Sequence, residues 1–254
     1  MNKPRENSSQ NSSPIYFIGT SGWTYAHWKG RFYPEGLPQK NWFGYYASQF
    51  SAVEVNATFY RTFKEQTYHN WRQRAPQGFG YVLKAPRLIT HRKFLLDVEQ
   101  DIRTFYQSCN LLQEKFEMIL LQVAPNMSYN PARLRTALQA FPDPTRVAVE
   151  FRRSEWFCQE TQDILRAAGA TICDVDSPRQ KLSGLITSRC AYLRLHGRGH
   201  WYSYNYTLDE LGEIARIARD LANRGAERVY IFFNNDFEGY APANARLIQQ
   251  MLSE

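Results

Sequence analysis

Eight short apolar runs in this chain each end in polar or charged residues, and in at least six of them those residues share one face of a strand. The clearest are Val53-Glu54-Val55-Asn56, Val82-Leu83-Lys84, Leu120-Leu121-Gln122, Val147-Ala148-Val149-Glu150-Phe151-Arg152, Leu193-Arg194-Leu195-His196 and Phe232-Phe233-Asn234. Successive strand residues point to opposite faces. Ala52, Glu54 and Asn56 therefore oppose Val53 and Val55; Ala148, Glu150 and Arg152 oppose Val147, Val149 and Phe151; Tyr192, Arg194 and His196 oppose Leu193 and Leu195. Strands buried on both sides, with polar groups gathered at one end, are what a barrel needs if that end is to carry a site.

The segments between the runs supply the outer layer. Amphipathic or capped helices are predicted over residues 42–50, 66–74, 95–113, 134–141, 159–168, 208–223 and 244–252, alternating with strands at 15–19, 52–55, 81–84, 118–122, 147–151, 171–174, 192–195 and 229–233. Thr207 and Glu210 have the spacing of a capping box, and Gly169 closes the helix before it. Eight strands alternating with helices predict one α/β domain, a (β/α)8 barrel of parallel strands over residues 14–254. The 254 residues match one such barrel. Neither GxGxxG nor GxxxxGK[ST] occurs, which argues against dinucleotide-binding and P-loop folds.

The polar opening MNKPRENSSQNSS, residues 1–13, lacks the apolar core of a signal peptide and is expected to be a disordered tail. No run is long enough to span a membrane. The four cysteines are scattered with no CxxC pair, so reduced thiols and a cytoplasmic location are expected. A net charge of +7 favours anionic partners, small metabolites or nucleic acid. The first strand-to-helix loop carries Trp23, Tyr25, Trp28, Phe32 and Tyr33 between glycines; these rings either plug one end of the barrel or wall the site.

Several strings resemble a known family. Gly19-Thr20-Ser21-Gly22-Trp23, followed by Trp28-Lys29-Gly30-Arg31-Phe32-Tyr33-Pro34, is similar to the opening signature of the YecE-like family, also called domain of unknown function 72. Further likenesses are Glu54-Val55-Asn56-Ala57-Thr58-Phe59-Tyr60, Lys84-Ala85-Pro86-Arg87-Leu88-Ile89-Thr90-His91, Val149-Glu150-Phe151-Arg152 with Trp156, Arg194-Leu195-His196-Gly197-Arg198, Trp201-Tyr202 and Phe233-Asn234-Asn235-Asp236. Together they cover residues 15–252. The resemblance implies a (β/α)8 barrel and carries no established activity. Gln122-Val123-Ala124-Pro125 departs from the family's usual Leu-Pro-Pro run after the glutamine.

In such barrels the site lies at the C-terminal ends of the strands, where loops vary freely. Glu54, Lys84, Glu150 and His196 are the candidate proton carriers or nucleophile. Trp23, Asn56, Tyr60, Arg87, His91, Gln122, Arg152, Arg194, Arg198, Tyr202, Asn234 and Asn235 are candidate substrate contacts. Buried charges must pair, bind water or await a ligand. The bland alternative is a balanced plug in which Glu54 pairs with Lys84, and Glu150 with Arg152 or Arg194.

Glu150, Asp174 and His196, from successive strands, resemble the metal ligands of sugar isomerases and endonuclease IV-like barrels. Arg152 and Arg194 share the phases of two of them and would repel a cation, so the sequence requires no metal or other cofactor. Lys84 offers a Schiff-base route if burial lowers its pKa. The expectation is an enzyme acting on a small anionic substrate, such as a phosphorylated sugar, by acid/base chemistry. The alternative is a nucleic-acid binding or processing protein.

Overall fold

The alternating strands predicted from the sequence form a closed barrel. The computed structural model describes residues 13–253, so the polar stretch over residues 1–12 lies outside the described residues. The strands are β1 (Ile15–Ser21), β2 (Ala52–Val55), β3 (Gly80–Lys84), β4 (Phe116–Gln122), β5 (Val147–Glu150), β6 (Thr171–Asp176), β7 (Cys190–Leu195) and β8 (Arg228–Phe233). All pair in parallel in chain order, and β8 returns to β1. The outer layer holds α1 (Trp42–Gln49), α2 (Ala57–Tyr60), α3 (Glu65–Arg74), α4 (Glu99–Asn110), α5 (Pro131–Ala140), α6 (Gln159–Ala168), α7 (Leu208–Asn223) and α8 (Tyr240–Ser253).

Local chemistry sets the helix ends. Asn130 caps α5 by accepting from the Arg133 amide, with Pro131 in the first turn where its missing N–H costs nothing. Thr207 and Glu210 form the predicted capping box of α7, and Gly169 ends α6 at φ +68°. Periodicity did not reveal α2, a single turn, or a five-residue π-type turn at Leu88–Arg92.

Strand alternation separates two cores. Outward residues such as Val53, Leu83, Val149, Leu193 and Ile231 pack beneath the helices, whereas Phe17, Ala52, Val82, Leu120, Ala148, Cys173, Tyr192 and Phe232 fill the lumen. The strand register then puts Glu54 beside Ser21, Gln122 beside Glu150 and Arg194 beside Val175. The loop aromatics divide between the two expected roles. Trp28, Phe32 and Tyr33 are buried, Tyr33 stacks on Trp42 at 4.6 Å, and Trp28 Nε1 donates to the Asp236 carbonyl at 2.8 Å. Trp23 and Tyr25 stay partly exposed at the mouth.

Residues 177–189 connect β6 to β7 without an α-helix. Asp174 organises this loop by accepting from the Ser183 amide and hydroxyl and from the Gly184 amide, at 2.8 to 3.0 Å. All four cysteines are free thiols, and no described helix is long and apolar enough to cross a membrane.

Candidate functional site

The polar strand ends form two tiers at the C-terminal end of the lumen. In the lower tier Arg194, 1% exposed, bridges two carboxylates that are 0% exposed. Its Nη2 and Nε meet Glu54 at 2.7 and 3.0 Å, and its Nη1 meets Glu150 at 2.9 Å. Tyr192 and Ser21 add hydroxyl donors to Glu54 at 2.6 and 2.7 Å. Arg152 Nε lies 2.5 Å from Glu150 Oε1, off the N–H axis, so that oxygen has the cation beside it without an aligned hydrogen bond.

Burial alone would raise both carboxyl pKa values. The guanidinium groups and hydroxyl donors outweigh it, holding Glu54 below the ordinary carboxylate range and Glu150 well below it. Both glutamates are therefore ionised and engaged. Of the balanced-plug alternative, Glu150 does pair with Arg152 and Arg194, whereas Glu54 pairs with Arg194 in place of Lys84, because the barrel's stagger brings β7 across the lumen to β2.

The upper tier borders a cavity of about 580 Å³ lined by Asn56, Tyr60, Lys84, Arg87, His91, Gln122, Arg152, Arg194, Tyr202 and Asn234, with Tyr25, Phe59 and Asp236. Lys84 is 8% exposed, and its Nζ lies 4.4 Å above the Phe59 ring. Among the described residues it has no carboxylate within salt-bridge distance. Burial and Arg194 lower its pKa to about 8, with the more distant Glu150 and Glu54 opposing them.

His91, at the edge of the same Phe59 ring, is driven to about 4 by burial, Lys84 and Arg87. Its Nδ1 is 2.8 Å from the Thr90 hydroxyl, which leaves Nε2 unengaged. His196 is buried at the floor with a pKa near 4, lowered by burial and Arg194 against the pull of Glu150. Its Nδ1 is 3.0 Å from the Asn234 amide. Both imidazoles are neutral at pH 7.

Arg87 is exposed at the rim without an acidic partner among the described residues. Tyr202 reaches the cavity from the loop after β7 through a left-handed backbone at φ +65°. The chain around His91 is similarly unusual, since the π-type turn is followed by positive φ at Phe94, Leu95 and Asp97. Such conformations gather where surrounding structure fixes a side chain for use.

Other sequence candidates lie elsewhere. Asp174 points away from the lumen into the β6–β7 loop, because Thr171, Cys173 and Val175 hold the inward phase. It cannot join Glu150 and His196 as a ligand, and the described residues contain no cluster of three or more potential metal-binding side chains. Arg198 is committed to Asp176 at 2.8 Å and Glu213 at 2.7 Å, outside the cavity wall. Asn235 donates to the Tyr204 carbonyl and to Asn244, tying the β7–α7 loop to α8.

Trp23 lines a neighbouring cleft of about 780 Å³ with Tyr25, Asn56, Phe63 and Trp71. That cleft is larger but has none of the buried titratable groups. A third cavity, about 420 Å³, shares His91, Gln122, Arg152 and Tyr202 with the central one.

A sequence model for a protein of unknown function, DUF72, matches residues 17–254. The chain belongs to the DUF72 family. The match takes in every residue of the central cavity. A DUF72 protein of known structure from Thermotoga maritima is 29% identical, with a TM-score of 0.87 over 94% of this chain and all of the other. A second DUF72 structure, from Enterococcus faecalis, shares 19% identity and has a TM-score of 0.81, covering 94% of this chain and 96% of its own; that likeness bears on the fold. The UPF0759 protein YunF of Bacillus subtilis is 25% identical, covering 94% of this chain and 95% of its own.

Phe59 and Asp236 of this DUF72 barrel were not singled out as contacts from sequence, and Tyr25 was anticipated only as one of the rings that could wall the site. Phe59 and Asp236 fall within the family-like strings, but the contacts depend on the α2 turn and on Trp28 holding the segment after β8. Of the two residues that hold Glu54, Tyr192 was legible only as a residue of inward phase, and Ser21 only as part of a family-like string beyond the predicted end of the first strand.

Proposed function

We infer that this DUF72 protein is an enzyme acting on a small anionic substrate, phosphorylated or carboxylated, at the C-terminal mouth of the barrel. The surplus of cations carries this reading. Glu54 and Glu150 are already committed to Arg194 and Arg152, whereas Lys84 and Arg87 face the same cavity with no salt-bridge partner among the described residues, against Asp236 as the one lining carboxylate. A cavity of about 580 Å³ suits a metabolite. Acid/base chemistry is supported by Lys84, with a pKa near 8, and by neutral His91 beside it. A nucleic-acid duplex fits less well, because Lys84 and the Arg152 side chain are only 8% and 19% exposed, whereas a duplex backbone is met by cations on an open surface.

Thermal shift with a panel of phosphorylated and carboxylated compounds, with inorganic phosphate as the minimal probe, tests this reading. At a ligand concentration of about 100 Kd the stabilisation is about 2.7 kcal/mol, which raises Tm by roughly 5–10 °C. Arg87→Ala is expected to weaken binding about tenfold, the loss of one charge-assisted contact. A panel that leaves Tm unchanged overturns the proposal.

A further inference from the structure

We propose that Lys84 Nζ is a nucleophile that forms an imine with the carbonyl carbon of a small oxo substrate whose phosphate or carboxylate is held by Arg87. This deepens the reading above and rests on it for the anionic group. The geometry comes first. A lysine that serves only structure would find a carboxylate, yet Lys84 sits on the Phe59 ring at 4.4 Å while both nearby glutamates are bound to arginines. The ring face accepts an ammonium and also packs against a neutral amine, so losing a proton does not strand the side chain. Lys84, Arg87 and His91 line the same solvent-open cavity.

Protonation follows from the same surroundings. With a pKa near 8 in place of 10.5, Lys84 at pH 7.5 holds about two hundredfold more neutral amine than an ordinary lysine. The Nζ lone pair attacks the carbonyl carbon, forming the C–N bond as the C=O π pair moves to oxygen. His91 Nε2 takes the proton from the resulting N–H and returns it to that oxygen. His91 Nε2 then carries the remaining N–H proton to the new hydroxyl as the C–O bond breaks with its pair on oxygen, so the oxygen leaves as water and the pair freed from N–H closes C=N. Amine and carbonyl thus give imine and water, with no oxidant or reductant.

Reductive trapping tests this. Glyoxylate, dihydroxyacetone phosphate and glyceraldehyde 3-phosphate are each incubated with the protein and sodium cyanoborohydride, followed by intact mass and peptide mapping. One adduct per chain is expected on the peptide carrying Lys84 with at least one probe, forming about tenfold or more faster than at exposed Lys40 and Lys181, consistent with the larger neutral-amine fraction. Inorganic phosphate should slow it. Lys84→Arg should lose that adduct with the other sites unchanged. Labelling of Lys84 no faster than of Lys40 and Lys181 with all three probes overturns the imine.

The two readings fail separately. Phosphate binding by calorimetry without trapping leaves the anion site intact and removes the nucleophile. Preferential trapping that dihydroxyacetone matches and phosphate does not slow keeps the nucleophile and removes the anion site.

Discussion

At the residue scale, two buried charges have opposite effects on stability. Glu54 belongs to a satisfied set, so Glu54→Gln leaves Arg194 short of a counter-charge. Breaking a buried pair in this way costs about 3–5 kcal/mol, equivalent to a fall in Tm of about 10 °C in a chain this size. Lys84 is the reverse case. Its pKa of about 8 against the ordinary 10.5 means that burial disfavours its charge at neutral pH, so Lys84→Met is expected to stabilise by on the order of 3 kcal/mol. Calorimetric unfolding of both variants at pH 7 checks the pair of signs. A stabilised Lys84→Met that no longer binds anions is the usual trade between stability and a working site. A destabilised one would mean that the lysine serves the fold.

At the element scale, the close approach of β1 to β2 depends on Gly19. A Cβ there would lie 2.0 Å from the Ala52 carbonyl oxygen and 2.7 Å from the Tyr46 hydroxyl, both on rigid, buried elements. Gly19→Ala is expected to part the strands and lower Tm by about 10 °C or more, in the upper range for single substitutions, read by calorimetry.

The elements themselves were largely legible in the sequence, because strand alternation and helix caps are local. Lumen phase was equally legible: Glu54, Glu150 and Arg194 point where alternation puts them. Pairing across the lumen was not. It depends on the stagger of strands far apart in the chain, so Arg194 displaced Lys84 as the partner of Glu54. Asp174 was misassigned because its polar character was weighed without the phase of Cys173 and Val175. Arg198 was misassigned because the two carboxylates that claim it, Asp176 at 2.8 Å and Glu213 at 2.7 Å, lie on β6 and α7, separate elements.

At the scale of the whole molecule, the buried groups set a pH profile. Glu54 and Glu150 have lowered folded-state pKa values, so their contribution is present above the unfolded value of about 4.3 and is lost as pH falls through the folded values. His91 and His196 are lowered from 6.5 to about 4, so the unfolded chain takes up protons first and stability falls as pH drops through that window. For Lys84 the unfolded chain keeps its proton longer between about 8 and 10.5, and raising the pH across that range adds stability. Tm measured in steps of pH should decline below about 6.5, steeply below 4.3, and show no lysine-driven loss up to pH 9. A flat profile between pH 7 and 5 would contradict the neutral imidazoles.

Glu54, Glu150 and Arg194 stand on β2, β5 and β7, and no two of these strands are neighbours in the ring. A half-barrel of β1 to β4 would hold Glu54 without its guanidinium, and the complementary half would hold Arg194 with only one of its two carboxylates. Full pairing of these three groups therefore belongs to the closed ring alone. That biases the chain against half-built intermediates and makes the floor of the candidate site the bolt that locks the barrel shut.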